Sequence, residues 1–227
     1  MAKQTDLTFR PSGQANQPVK PVRSDPAPLQ AGVIYHIYNR GVNRETIFHE
    51  KRNYAYFINL YVRHIQPMAD TYAFCLLPNH FHLLIEVKQN QDLTGLSNLS
   101  GLKPPSKAFS NLFNAYAKAI NIAYQRTGPV FERPFKRISV TDSQYLMRLL
   151  IYVHQNPQRH GLIDDFRDWP YSSYGVLTGN QPTFVKRDVV REWFGDVKEL
   201  IDKENQDLTG FENLSGLEYL SGLEGEE

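Results

Sequence analysis

A chain of 227 residues, 41% of them hydrophobic, is long enough to bury one sizeable core. No window approaches the roughly 18 apolar residues of a membrane-spanning helix, the N-terminus carries no apolar signal core, and a single cysteine, Cys75, excludes a disulfide within the chain, so a cytoplasmic protein with no membrane partner is expected. The net charge of +1 hides an asymmetry: residues 205–227 hold six acidic residues and no Lys or Arg, leaving 25 basic against 18 acidic residues, a formal +7, on residues 1–204, which is compatible with a polyanionic partner.

In chain order, residues 1–30 contain five prolines and little apolar content and read as a flexible arm. Gly32 to Arg40 alternates as a first strand and ends in the turn Asn39-Arg40-Gly41. From about Glu50 to Gln66, Tyr54, Phe57, Ile58, Tyr61, Val62 and Ile65 follow helical spacing, and Pro67 stops the run. Thr71 to Leu77 is a second strand. The Pro78-Asn79 turn leads into a third strand, Asn79 to Val87, completing a hairpin.

A six-residue unit, Leu-Ser/Thr-Gly-Leu/Phe-x-x, then occurs twice within residues 90–102 and three times after Asn205. Glycine at that period disfavours a helix, and so few copies cannot bury a solenoid core. The two blocks read as a low-complexity insertion in a surface loop, about residues 90–104, and an acidic tail, residues 205–227. Ser106 to Arg126 is a second long helix with Phe109, Phe113, Tyr116, Ile120 and Tyr124 as its core stripe. The basic segment Val130 to Val140 ends in a fourth strand. A third helix runs from about Ser143 to Asn156, with Asp142 as N-cap and Pro157 after it. Residues 165–177 form an irregular packed segment, and Asp188 to Lys203 is a last helix. Cys75 and Tyr116 read as core residues.

The first six elements, β-α-β-β-α-β, match the ferredoxin-like split βαβ arrangement. The expected fold is α+β, an antiparallel sheet with helices on one face, the other face free for a ligand, and an extra C-terminal helix. On the third strand, side chains alternate, so His80 and His82 project together while Phe81 points away. Two such imidazoles can hold a divalent metal, with a third ligand from elsewhere. On the third helix, Tyr145, Arg148, Tyr152, Asn156 and Arg159 lie on one stripe, beside a core face of Leu146, Leu149, Leu150 and Val153. Tyr152 and Asn156 are one turn apart.

The series Tyr35-His36-Ile37-Tyr38-Asn39-Arg40-Gly41, Leu77-Pro78-Asn79-His80-Phe81-His82, Gly128-Pro129-Val130-Phe131-Glu132, Tyr152-Val153-His154-Gln155-Asn156-Pro157 and Trp169-Pro170-Tyr171-Ser172-Ser173-Tyr174 resembles the HUH superfamily of single-tyrosine transposases. More closely, it resembles the REP-associated tyrosine transposases of the IS200-like family. The resemblance covers about Gly32 to Tyr174. It implies a catalytic domain over residues 31–178; the helical extension, 179–204, lies outside the resemblance. It further implies that Tyr152 is the nucleophile and that His80, His82 and Asn156 bind Mg²⁺ or Mn²⁺. The implied reaction is cleavage and rejoining of single-stranded, hairpin-containing DNA through a 5′-phosphotyrosine, in a nucleoid-associated monomer or homodimer. Arg40, Arg133, Lys136, Arg137, Arg148 and Arg159 are candidates for the phosphate path. Tyr145 is the rival nucleophile, and His154, two residues from Tyr152, is expected to face away from Asn156. The competing readings are a domesticated binder of DNA hairpins that no longer cuts, and a metal phosphodiesterase working through water.

Overall fold

Alternating apolar residues make Ile34–Arg40 the first strand, β1, and pairing places it second from one edge of a four-stranded sheet in the order β2-β3-β1-β4. The structure, a computed structural model, describes residues 28–89 and 104–204. The repeat blocks at 90–102 and beyond Asn205, and nearly all of the expected N-terminal arm, lie outside the described residues. The end of that arm is packed: Leu29 is buried and the Gln30 amide donates to the Tyr35 hydroxyl.

The other strands are β2 (Ala69–Leu76), β3 (His80–Val87) and β4 (Lys136–Ser139). All pairings are antiparallel. The expected β2–β3 hairpin closes with the Leu77 amide donating to the His80 carbonyl at 2.8 Å. The two long helices that follow β1 and β3 are α1 (Lys51–His64) and α2 (Pro105–Ala123). This is the split βαβ arrangement expected from the sequence.

Register assigns the side chains to faces. Phe81, Leu83 and Ile85 of β3 share a face with Tyr35, Ile37 and Asn39 of β1. Here α1 and α2 pack: the Phe57 ring lies 5.2 Å from those of Phe81 and Tyr116, and Phe113 lies 5.2 Å from Phe131. Tyr116 is core, as expected, and its hydroxyl donates to the Ile47 carbonyl. Cys75 is buried with a free thiol.

The opposite face carries His36, Tyr38 and Arg40 of β1, His80, His82 and Leu84 of β3, and Lys136 and Ile138 of β4. The expectation that this face stays free holds only in part. The third long helix, α3 (Ser143–Arg159), lies across β2 and β3 on this side. The reason is its apolar stripe: Leu149, Leu150 and Val153 are fully buried, and an unpartnered stripe of that width must find a sheet to cover it. Asp142 caps α3 as expected, accepting from the Tyr145 amide.

Two expected helix ends move. Pro157 does not stop α3 but sits inside its last turn, where the missing N–H forfeits a single helical hydrogen bond and the buried ring adds packing. The expected last helix, Asp188 to Lys203, is two helices, α5 (Arg187–Phe194) and α6 (Val197–Glu204), after a short α4 (Tyr174–Thr178). Gly195 at φ 72° makes the break, a conformation that excludes helix continuation. Val190, Val197 and Ile201 bury both helices against the same body, beside α3 and β2. No helix among the described residues is long and apolar enough to cross a membrane.

Candidate functional site

The segments singled out in the sequence meet at one end of the sheet. Gly41 donates its amide to the Asn79 carbonyl, Ile47 and Phe48 both donate to the Pro78 carbonyl, and Val42 donates to Val130. Asn39 Nδ2 reaches the Glu132 carbonyl, and Arg40 pairs with the Glu132 carboxylate at 2.6 Å. Gly41 is dictated by contact: a Cβ there would stand 2.0 Å from the Glu45 carbonyl oxygen. Trp169 to Ser173 works from the other side. Ser172 bridges Cys75 antiparallel at the free edge of β2, Trp169 Nε1 donates to the Leu76 carbonyl, and the Tyr171 ring stacks on Tyr54 at 3.6 Å. The segment read as irregular therefore covers a sheet edge.

Within this frame, β3 presents His80 and His82 toward α3, their rings 5.2 Å apart and perpendicular. The Tyr152 ring meets His82 edge-on at 5.5 Å, and the Arg159 guanidinium carbon lies 5.5 Å from the Tyr152 ring centroid. Asn156, one turn beyond Tyr152, is fully buried and donates Nδ2 to the Tyr152 carbonyl at 2.8 Å, which turns Oδ1 into the site. The Asn156 carboxamide is close enough to act on the His80 ring.

Three buried atoms here have no hydrogen-bond partner: His80 Nε2, His82 Nε2 and Asn156 Oδ1. Each ring's other nitrogen is engaged. His80 Nδ1 lies 2.7 Å from Asn79 Oδ1, and because that oxygen can only accept, the proton sits on Nδ1 and the Nε2 lone pair is available. His82 Nδ1 lies 2.9 Å from His36 Nε2. Burial, with the neighbouring His160 and Arg40, lowers the His80 pKa to about 3 against the opposing pull of the Asn156 side chain; burial first, then nearby histidines, pushes His82 well below its usual value. Both rings are thus neutral near pH 7, the form that can coordinate a cation. Two imidazole nitrogens and an amide oxygen are a donor set that a divalent cation can take. Among the described residues no three His, Cys, Asp or Glu side chains form a metal-binding group.

The cationic candidates divide by face. Arg40, opposite His80 in register, lines a cavity of about 240 Å³ with Arg44, Asn79, His80 and His160. Lys136 lies opposite Tyr38 on the same face. Arg148 lies one turn before Tyr152 on α3, its Nε buried without a hydrogen bond, and Arg159 covers Tyr152. Arg133 and Arg137 are not brought to this site. Arg137 pairs with Ile37 in register and so turns to the α2 side, where it donates to Ser106 Oγ at 2.9 Å, while Arg133 donates to Asn114. Strand alternation carries Arg137 away from its neighbour Lys136.

Tyr145, two turns before Tyr152, keeps its hydroxyl buried without a hydrogen bond. His154 faces away from the donor set, as expected: Nδ1 bonds the Leu150 carbonyl and Nε2 bonds Ser173 Oγ at 2.7 Å. It ties α3 to the β2 edge. Sequence reasoning did not single out His36, Asn79 or His160. The period-two pattern puts His36 on the face of Tyr38 and Arg40, but only strand register brings it to His82.

The chain matches no family profile. Over 107 residues it is 31% identical to a curated Haemophilus influenzae protein named as a REP-associated tyrosine transposase, an alignment covering 46% of this chain and 58% of that protein, so the chain spans less than two thirds of that relative. A solved structure described as a REP-associated tyrosine transposase bound to a REP hairpin superposes with a TM-score of 0.53 at 15% identity, covering 70% of this chain and 87% of that one. At that identity the likeness establishes the fold. In sequence over the matched stretch, and in fold, this chain is similar to the REP-associated tyrosine transposases.

Proposed function

We propose that this protein is a transposase-like enzyme that cleaves and rejoins single-stranded DNA through Tyr152, with a divalent cation, Mg²⁺ or Mn²⁺, held by His80, His82 and Asn156. The observation that carries the reading is the convergence of three buried, unpartnered donor atoms next to a tyrosine ring. Leaving such atoms unmet costs about 1–3 kcal/mol each, a cost that a ligand at the site would relieve.

The Tyr152 oxygen attacks the phosphorus of a phosphodiester. A phosphorus–oxygen bond to Tyr152 forms and the bond to the 3′-oxygen breaks; the phenol proton leaves to solvent and the 3′-oxygen takes one up. The product is a 5′-phosphotyrosine and a free 3′-OH, and the reverse attack by a 3′-OH reseals the strand with no net change in bond type. The bound cation would withdraw charge from the phosphate oxygens, making phosphorus a better electrophile. Arg159, over the Tyr152 ring, and Arg40, lining the cavity beside His80, hold the phosphates. The substrate is a single DNA strand carrying a hairpin, a reading supported by the solved neighbour's description as bound to a REP hairpin.

One observation favours a second reading, a phosphodiesterase using metal-bound water: Tyr152 is only 3% exposed. The test mixes the full chain with oligonucleotides from the DNA flanking its own gene, with Mn²⁺ or Mg²⁺, and resolves the products on a denaturing gel. Wild type should give a metal-dependent protein–DNA adduct that vanishes in Tyr152→Phe and His80→Ala. Cleavage that persists in Tyr152→Phe without adduct would establish the water mechanism, and binding without any cut would leave a hairpin-binding protein.

A further inference from the structure

A metal-ligating imidazole needs its lone pair on the coordinating nitrogen and its proton on the other, and what the other nitrogen bonds decides which tautomer exists. For His80 the answer is built in, because Asn79 Oδ1 can only accept. For His82 it is not. Its Nδ1 faces His36 Nε2 at 2.9 Å, and between two neutral imidazoles one nitrogen must donate and the other accept. If His36 donates, His82 carries its proton on Nε2, its one nitrogen without a partner, and cannot ligate through it. If His82 donates, Nε2 is open and His36 carries its remaining proton on Nδ1. Both outer nitrogens, His36 Nδ1 and His82 Nε2, are buried without partners, so no other contact fixes the choice.

We propose that His36 is the positioning residue for His82: its Nε2 accepts a hydrogen bond from the His82 Nδ1–H, and so holds His82 in the tautomer and orientation that leave Nε2 open to a divalent cation. This inference rests on the metal site proposed above. The geometry is set by the sheet. His36 pairs with Leu84, two residues from His82, so the contact is diagonal across β1 and β3 and cannot form with a register slip. The rings are also stacked, with centroids 5.1 Å apart and planes at 21°, and Tyr38 stacks on His36 at 4.9 Å, which clamps the pair against rotation. Both rings are fully buried, away from bulk water.

The test measures Mn²⁺ binding to the DNA-free full chain by electron paramagnetic resonance. His36→Phe keeps the stacked ring and removes the acceptor; His36→Gln places an amide oxygen near the position of Nε2. Affinity should fall about 10–100-fold in His36→Phe and return to within about threefold of wild type in His36→Gln, the range seen when such partners are removed. Long-range proton–nitrogen NMR of the wild type with Mg²⁺ should place the His82 proton on Nδ1, a readout independent of any variant's folding. Undiminished Mn²⁺ binding in His36→Phe, equal loss in both variants, or a proton on His82 Nε2 in the Mg²⁺ form would overturn the assignment. No Mn²⁺ binding by the wild type would instead remove the metal site itself, so the two failures are distinct.

Discussion

At the scale of single residues, the histidines on the α3 side of the sheet act by being uncharged. Burial lowers His36 and His80 to about 3 and His154 to about 4, whereas in an unfolded chain a histidine titrates near 6.5. The unfolded chain therefore takes up protons first. The stability these groups contribute is complete above about pH 6.5 and is lost as pH falls toward about 4 for His154 and about 3 for His36 and His80. Urea unfolding without metal should show a drop of about 2 kcal/mol per histidine between pH 7.5 and pH 5, on the order of the linkage for one proton. A flat profile would mean the rings are charged or exposed in the native state. His154 and Ser173 make a second residue-scale point. They lie 19 positions apart, yet they form a buried hydrogen bond with Ser173 Oγ also serving Phe74. Ser173→Ala should cost about 1–3 kcal/mol in urea unfolding, because His154 Nε2 then has no partner in the core. The sequence showed both residues inside family-like motifs; it did not show that the two motifs are one joint.

At the scale of elements, two glycines resist substitution for different reasons. Gly41→Ala drives a Cβ into the Glu45 carbonyl, a backbone atom that cannot swing aside, so the turn after β1 must move. That turn carries Arg40 and meets Asn79, so circular dichroism and thermal melting should show a loss beyond the roughly 1–3 kcal/mol of ordinary overpacking, with adduct formation falling in step. Gly195→Ala is different, for nothing lies within 4 Å of its added methyl, and only the φ of 72° resists. A cost of about 1–3 kcal/mol and no change in DNA binding are expected. Element boundaries were harder to read than element identity. The run from Asp188 to Lys203 keeps helical periodicity on both sides of Gly195, and the break depends on burying Val190 and Ile201 together. Pro157 reads as a stop, but a proline in a last turn loses little, and α3 passes through it.

At the scale of the molecule, charge placement matters more than charge total. Arg40, Lys136 and Arg159 belong to the face that holds Tyr152, while Arg137 serves α2. Single-strand binding should weaken linearly in log affinity against log salt. Arg40→Gln should reduce that slope by about 0.7, one phosphate's share, while Arg137→Gln leaves the slope unchanged and lowers the melting temperature. Equal slopes for both variants would place the DNA elsewhere. Tyr152→Phe should bind like wild type.

The sequence by itself determined the α+β element order, the hairpin at Pro78-Asn79, the joint projection of His80 and His82, and the stacking of Tyr152 over Asn156. Each follows from local periodicity and chain stiffness, which act over a few residues. Only the tertiary structure decided that α3 crosses the face opposite α1 and α2, that its tyrosine and asparagine meet the two histidines, that His36 contacts His82 while His154 bonds Ser173, and that Arg137 turns away. Those outcomes depend on strand register and on which buried stripes cover one another, and neither is written in any one segment, because both are set by the packing of residues far apart in the chain.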